Sequence, residues 1–205
     1  MKCLTKSAED KIKEAAIKVF LEKGFDGTTT RDIAKEAGVN SALMNYYFRS
    51  KEKLFLAIFD EMFQLFFQGV LEIFNKPDSL EDKIIGMIDY DFESCKVNPD
   101  LTNFIINELH RNPERSIINY PIKQLCDHSL FAQQLKVSID EGRIANVDIR
   151  HLLLVMKSNI QFLFQTKIMT MKIWNMTENE FNVYADRHKI IVKDMILNYL
   201  FSSQK

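Results

Sequence analysis

From Gly38 to Ser50 the chain reads GVNSALMNYYFRS, so Ser41, Ala42, Leu43, Asn45 and Tyr46 bring a hydroxyl, two aliphatic surfaces, a carboxamide and a phenol within six residues. These groups suit the reading of base edges. A carboxamide pairs with adenine, an aliphatic group meets the thymine methyl, and a hydroxyl serves either kind of base.

Such groups need a firmly held helix beneath them. Thr29 can cap a first helix through its hydroxyl, and Asp32, three residues on, completes a capping box. Ile33, Ala34 and Ala37 then share one face, and Gly38 suits the left-handed backbone that ends a helix. Val39 plugs the angle, and Asn40 caps a second helix whose apolar side is Met44, Tyr47 and Phe48. Two short helices meeting steeply through a tight turn form a helix-turn-helix, which lays its second helix in the major groove. Upstream, Ser7 and Asp10 form another box, and Ile12, Ala15, Ala16, Val19 and Phe20 recur at helical intervals up to Gly24. The spacing predicts a three-helix domain.

Phe20, Lys23, Gly24, Thr29, Ile33, Ala34, Ala37, Gly38, Val39, Tyr47, Phe48, Ser50, Lys51 and Leu54, with the intervals between them, resemble the TetR family of transcriptional regulators. The resemblance covers about the first quarter of the chain. It implies that Thr29, Thr30, Tyr47 and Lys51 hold the DNA backbone, for which hydroxyls and a lysine at a helix start are suited. A simple cap is the competing role of Thr29, and a core position that of Tyr47. The resemblance further implies that Arg31, Asn40, Ser41, Ala42, Leu43, Asn45 and Tyr46 reach base edges. Asn45 departs from the aromatic residue usual in the family, which bears on the DNA sequence read and not on the fold.

Composition bounds the alternatives. A chain of 205 residues with 46% hydrophobic content can bury a substantial core. Cys3, Cys95 and Cys126 are odd in number and widely spaced, which suggests neither a disulfide framework nor a metal motif. No signal-peptide pattern and no uncharged run of membrane length is read, so the expected location is the cytoplasm. Residues 1–53 hold 11 Lys and Arg against 8 Asp and Glu, a net +3, while residues 54–205 carry a net −4. The positive end is the helix-turn-helix end, but the asymmetry is modest, so affinity for DNA must come from placed contacts doubled by dimerisation.

The remainder reads as helix, for an all-α chain of about nine helices: a helix-turn-helix domain over 1–50 and a helical regulatory bundle over 51–205. Lys51 to about Asn75 is one long helix, apolar nearly all round at Leu54, Phe55, Ile58, Phe59, Met62, Phe66 and Phe67. Pro77, Pro99, Pro113 and Pro121 separate segments of about Leu80 to Lys96, Leu101 to Arg111 and Pro121 to Glu141. Asp148 caps a run to about Trp174, and a Thr177–Glu180 box opens a last helix to about Phe201.

The 16 phenylalanines could wall a pocket for a small apolar effector, as in the family's regulatory domains. Phe63, Phe67, Phe92, Phe104, Glu108, His128, Phe131 and Gln161 are the candidates, with plain core packing as the competing role. Leu152, Val155, Met156, Asn159, Ile160 and Leu163, with Phe181, Tyr184, His188, Ile191, Val192 and Met195, form two stripes sized for a four-helix homodimer interface. An intramolecular core is the alternative for these. His110, His128, His151 and His188 lack metal-site spacing, and no Walker loop, GxSxG elbow or supported carboxylate pair is present. No cofactor and no catalysis are expected. The expected function is a homodimeric repressor released from a palindromic operator by an effector. A ligand-independent or activating regulator stays open, as does a helical small-molecule-binding protein without DNA activity.

Overall fold

The computed structural model describes residues 7–97, 99, 105, 106, 108, 110, 111, 114 and 121–202. Among them are ten helices and no strand: α1 (Ala8–Gly27), α2 (Thr30–Ala37), α3 (Ser41–Phe48), α4 (Lys51–Asn75), α5 (Leu80–Val97), α6 (Ile122–His128), α7 (Leu130–Asp140), α8 (Ile149–Gln165), α9 (Lys167–Ile173) and α10 (Glu178–Phe201). The chain divides into two compact units, Met1–Phe66 and Phe67–Lys205. The division falls inside α4 and not at its start, because the first turns of α4 belong to the core of the first unit. There Phe55 packs edge-on against Phe20 and Phe25, at 5.2 and 4.7 Å between ring centroids, and Lys13 pairs with Glu61 at 2.9 Å.

In the first unit α1 starts at the Ser7–Asp10 capping box and buries Ile12, Ala15, Ala16, Val19 and Phe20. The chain leaves helical geometry at Gly24, where φ is 71°, then takes one more turn to Gly27. Helices α2 and α3 pack on α1 and on each other. Helix α4 has the length and hydropathy to cross a membrane, yet Leu54, Phe55, Ile58, Phe59, Phe63, Phe67 and Phe74 along it are buried within the protein.

The second unit is built on α5, which packs against α7, α8 and α10. Phe92, Phe164 and Phe181 form a chain of edge-on rings at 5.2 and 6.3 Å. At the end of α4, the buried Lys83 ammonium donates to the Phe74 carbonyl and Gln134 Oε1, at 3.1 and 2.8 Å, and burial lowers its pKa. Gln134 in turn donates to the Asp78 carbonyl at 2.9 Å, and Phe74 lies 4.7 Å from Phe131.

Two segments expected as single helices are broken. Ser129, at extended ψ, ends α6 and caps α7 by accepting from the Ala132 amide, so a serine mid-pattern acts as a cap. Thr166 turns its hydroxyl back to the Phe162 carbonyl at 2.8 Å and separates α8 from α9. The expected helix from Leu101 to Arg111 falls largely outside the described residues.

Candidate nucleic-acid interface

The helix-turn-helix is fixed by its caps. The Thr29 hydroxyl accepts from the Asp32 amide at 3.1 Å, and the Asp32 carboxylate accepts from the Thr29 amide and hydroxyl at 2.9 and 2.6 Å. The Thr29 hydroxyl, and then Lys23 at 3.0 Å, hold the Asp32 carboxyl well below the usual carboxylate range. Gly38 closes α2 in the left-handed conformation, with φ 66° and ψ 29°, and the Val39 amide donates back to Ala34. Asn40 caps α3 by accepting from the Leu43 amide at 2.7 Å, which engages only its Oδ1.

This frame sorts the side chains of α3. Met44 and Phe48 are buried, whereas Ser41, Ala42, Asn45, Tyr46 and Tyr47 are exposed and Leu43 is partly so. Residues 41, 42, 45 and 46 recur at the spacing of one helical face, so the candidate readers share a surface opposite the buried seam. Tyr46 is 77% exposed and lies edge-on to Tyr47, with ring centroids 5.4 Å apart. Tyr47, expected on the apolar side of α3, is also exposed, because the turn from Met44 to Phe48 alone reaches the core. Arg31 and Asn40 are exposed and Thr30 is partly so.

Lys51, expected on the DNA backbone, turns inward in the structure. Its ammonium donates to the carbonyls of Phe25 and Thr28, at 2.7 and 2.9 Å, and lies 4.3 Å from the centroid of the Phe25 ring. Arg49 was not among the sequence candidates. It directly follows α3, is exposed, and adopts a φ of 63° where a glycine is more usual. The signal available in the sequence was a cation placed immediately after the last apolar residue of the helix.

Of the expected effector-site residues, Phe63, Phe67, Phe92, Phe131 and Glu108 are buried, Gln161 is half-buried and His128 is exposed. Phe63 stacks on Phe59 at 5.7 Å within the first unit, Phe131 engages Phe74, and Phe92 engages Phe164. Arg111 lies 3.9 Å from Glu108. Phe104 lies outside the described residues.

The two C-terminal stripes divide in the same way. Leu152, Met156, Ile160, Leu163, Phe181 and Val192 are buried within the second unit, whereas Val155, Tyr184, Ile191 and Met195 are exposed and Asn159 and His188 are intermediate. His188 Nε2 lies 3.2 Å from the Asn159 carbonyl. Between α8 and α10 lies a pocket of about 340 Å³ with an almost wholly apolar lining, including Val155, Val192, Met195, Ile196 and Tyr199. Exposed Phe162, seven residues after Val155 on α8, and Tyr199 on α10 were not anticipated as part of this face. Among the described residues no three His, Cys, Asp or Glu side chains gather as a metal site.

Residues 12–58 match the family described as bacterial regulatory proteins, tetR family. YttP of Bacillus subtilis (strain 168), named a probable HTH-type transcriptional regulator, is 32% identical over 106 residues, covering 50% of this chain and 51% of that protein. IcaR of Staphylococcus aureus (strain Newman), a biofilm operon negative transcriptional regulator, is 47% identical over 47 residues, 23% of this chain and 25% of its own. The chain thus spans about half, or less, of the length of the curated relatives it matches. A tetR-family regulatory protein from Rhodococcus RHA1 superimposes with a TM-score of 0.69 at 20% identity, over 94% of this chain and 98% of the other. The transcriptional regulator FadR from Bacillus subtilis, solved with stearoyl-CoA, gives 0.62 at 20% identity over 89% and 96%. Residues 12–58 thus carry the helix-turn-helix sequence of the TetR family, and the described helices share the fold of a solved tetR-family regulatory protein.

Proposed function

We propose that the chain is a sequence-specific DNA-binding transcriptional regulator that works as a homodimer. The observation that carries this reading is the face of α3, where Ser41, Ala42, Asn45 and Tyr46 stand in solvent over a seam buried at Met44 and Phe48. Nothing in the packing of the first unit requires polar groups there, whereas a major groove does. Thr30 and Tyr47 flank that face and reach phosphates, and Arg31 enters the groove edge from the first turn of α2.

A single head reads too short a site, so two heads sit on successive major-groove faces about 34 Å apart on a palindrome. The exposed stripe of α10, Tyr184, Ile191, Met195 and Tyr199, with Val155 of α8, pairs with its copy across a two-fold axis. The apolar pocket between the helices is then filled by the partner.

Repression is the proposed sense of action, in keeping with the negative regulator IcaR, which is similar over 47 residues. Release by an apolar effector is the proposed control, and FadR with stearoyl-CoA gives an instance of a lipid-derived ligand on this fold. A coupling of about 1 to 3 kcal/mol between effector and DNA changes operator affinity 5- to 150-fold. A titration of the full chain against the DNA upstream of its own gene tests the reading. Binding that is no tighter than to random DNA of equal length, at moderate salt, defeats it.

A further inference from the structure

The ammonium of Lys51 reaches back across 26 residues of sequence to the segment that joins α1 to α2. It donates to the Phe25 carbonyl at 2.7 Å and the Thr28 carbonyl at 2.9 Å, and Phe25 presents its ring face at 4.3 Å. An ammonium has three donors; here two meet carbonyls while the aromatic face covers the cation. Phe25 is itself gripped by Phe55, one turn along α4 from Lys51, at 4.7 Å, and by Phe20 at 5.9 Å. Lys51 and Phe55, four residues apart, therefore clasp Phe25 from one face of α4.

The clasp acts where the chain most needs it. Helix α1 has no basic residue in its last turn to meet its carbonyl end, and Lys51 supplies that charge from α4. The buried Thr28 closes the same segment from within, its hydroxyl lying 2.6 Å from the Gly24 carbonyl and 3.3 Å from that of Val19. Thr29, the next residue, is the cap of α2 and so sets the direction of Thr30 and Arg31. Turning Lys51 outward to a phosphate would strip two carbonyls of a charged donor and give up the ring contact. Exposed Arg31, Lys35, Arg49 and Lys53 carry no such burden in this segment.

We infer that Lys51 is a positioning residue: it locks the α1–α2 junction, and through it the N-terminus of α2, and does not neutralise a DNA phosphate. The part of this inference that concerns DNA rests on the regulator reading; the part that concerns the junction does not.

The test uses the full chain as wild type, Lys51→Met and Lys51→Arg. Arginine keeps the charge, but its planar fork is poorly matched to a cage built for a compact ammonium. Both variants are expected to speed amide exchange at residues 28–33 by about fivefold or more, with Ile12 to Phe20 unchanged, which separates a local lock from general loss of stability. On the DNA upstream of its gene, both lose about tenfold in affinity, while the slope of log affinity against log salt stays within about half a unit of wild type. The inference is overturned if exchange at 28–33 is unaltered in both variants. It is equally overturned if Lys51→Arg binds DNA like wild type while Lys51→Met flattens the salt slope by about 0.9 per protomer, the mark of a lost phosphate contact. If wild type binds no DNA, the regulator reading fails and exchange alone decides the role of Lys51. If Lys51→Met does not fold, Lys51→Arg decides both arms.

Discussion

Tyr90 of α5 occupies the space that a side chain at residue 69 of α4 would need: a Cβ on Gly69 would lie 2.3 Å from the Tyr90 hydroxyl oxygen. A glycine in mid-helix costs about 1 kcal/mol relative to alanine, so its presence here is explained by the ring and not by helix propensity. Gly69→Ala is therefore expected to destabilise the chain by about 1 kcal/mol or more, since the displaced ring costs more than the helix gains. In a Tyr90→Ala background the same change should stabilise by up to about 1 kcal/mol. Denaturant melts of the four proteins measure the coupling, and equal effects of Gly69→Ala in both backgrounds would falsify it.

Asn45 stands exposed on α3 between the positions of Ala42 and Tyr46. Asn45→Ala should weaken binding to the upstream DNA by about 1 to 3 kcal/mol and leave binding to random duplex nearly unchanged. Equal losses on the two duplexes, measured by fluorescence titration at fixed salt, would remove Asn45 from the reading surface.

Met195 is 60% exposed on α10, while Ile160 of α8 is fully buried. Met195→Asp should leave the thermal midpoint of the monomer little changed yet shift sedimentation to the monomer and weaken DNA binding, because an uncompensated charge enters the paired stripe. Ile160→Asp should instead prevent folding. A dimer that persists in Met195→Asp at micromolar concentration would place the interface elsewhere.

Three helix-capping carboxylates share one pH dependence. Asp32 is held down by the Thr29 hydroxyl and Lys23, Asp148 by Arg150, and Glu180 by the Thr177 amide and hydroxyl. Since their folded pKa values lie below the unfolded ones, near 4, the unfolded chain binds protons first as pH falls. The stability they contribute is thus complete above about pH 5 and is lost progressively below about pH 4. Thermal melts between pH 3 and 6 should show the loss. Replacing Asp32, Asp148 and Glu180 by Asn, Asn and Gln should flatten it, and a profile as steep as wild type would contradict the assignment.

Much of the first unit is legible in the sequence because its signals are local. The Ser7–Asp10 and Thr29–Asp32 boxes bond over three residues, as the Thr177–Glu180 box does in the second unit, and Gly38 needs only its own φ to end α2. The seam at Met44 and Phe48 follows from helical period, as do the exposed positions on the other side of α3. Local patterns also mislead where two outcomes share a period: Ser129 and Thr166 sit in continuous helical patterns, yet Ser129 caps a new helix and the backbone leaves helical geometry at Thr166.

Residue order alone sets the run of caps, turns and apolar stripes that makes a helical chain with a helix-turn-helix at its head. Packing between helices set the direction of side chains that had more than one partner to choose from. Lys51 opens a helix in a basic stretch, and only the approach of Phe25 and Thr28, distant in sequence, turns its charge inward. The stripe from Leu152 to Leu163 mixes residues that α5 and α10 bury with Val155, which they leave in solvent. Hydrophobic period records that a face is apolar; which part of it a neighbour covers depends on how helices cross, a quantity no single helix contains.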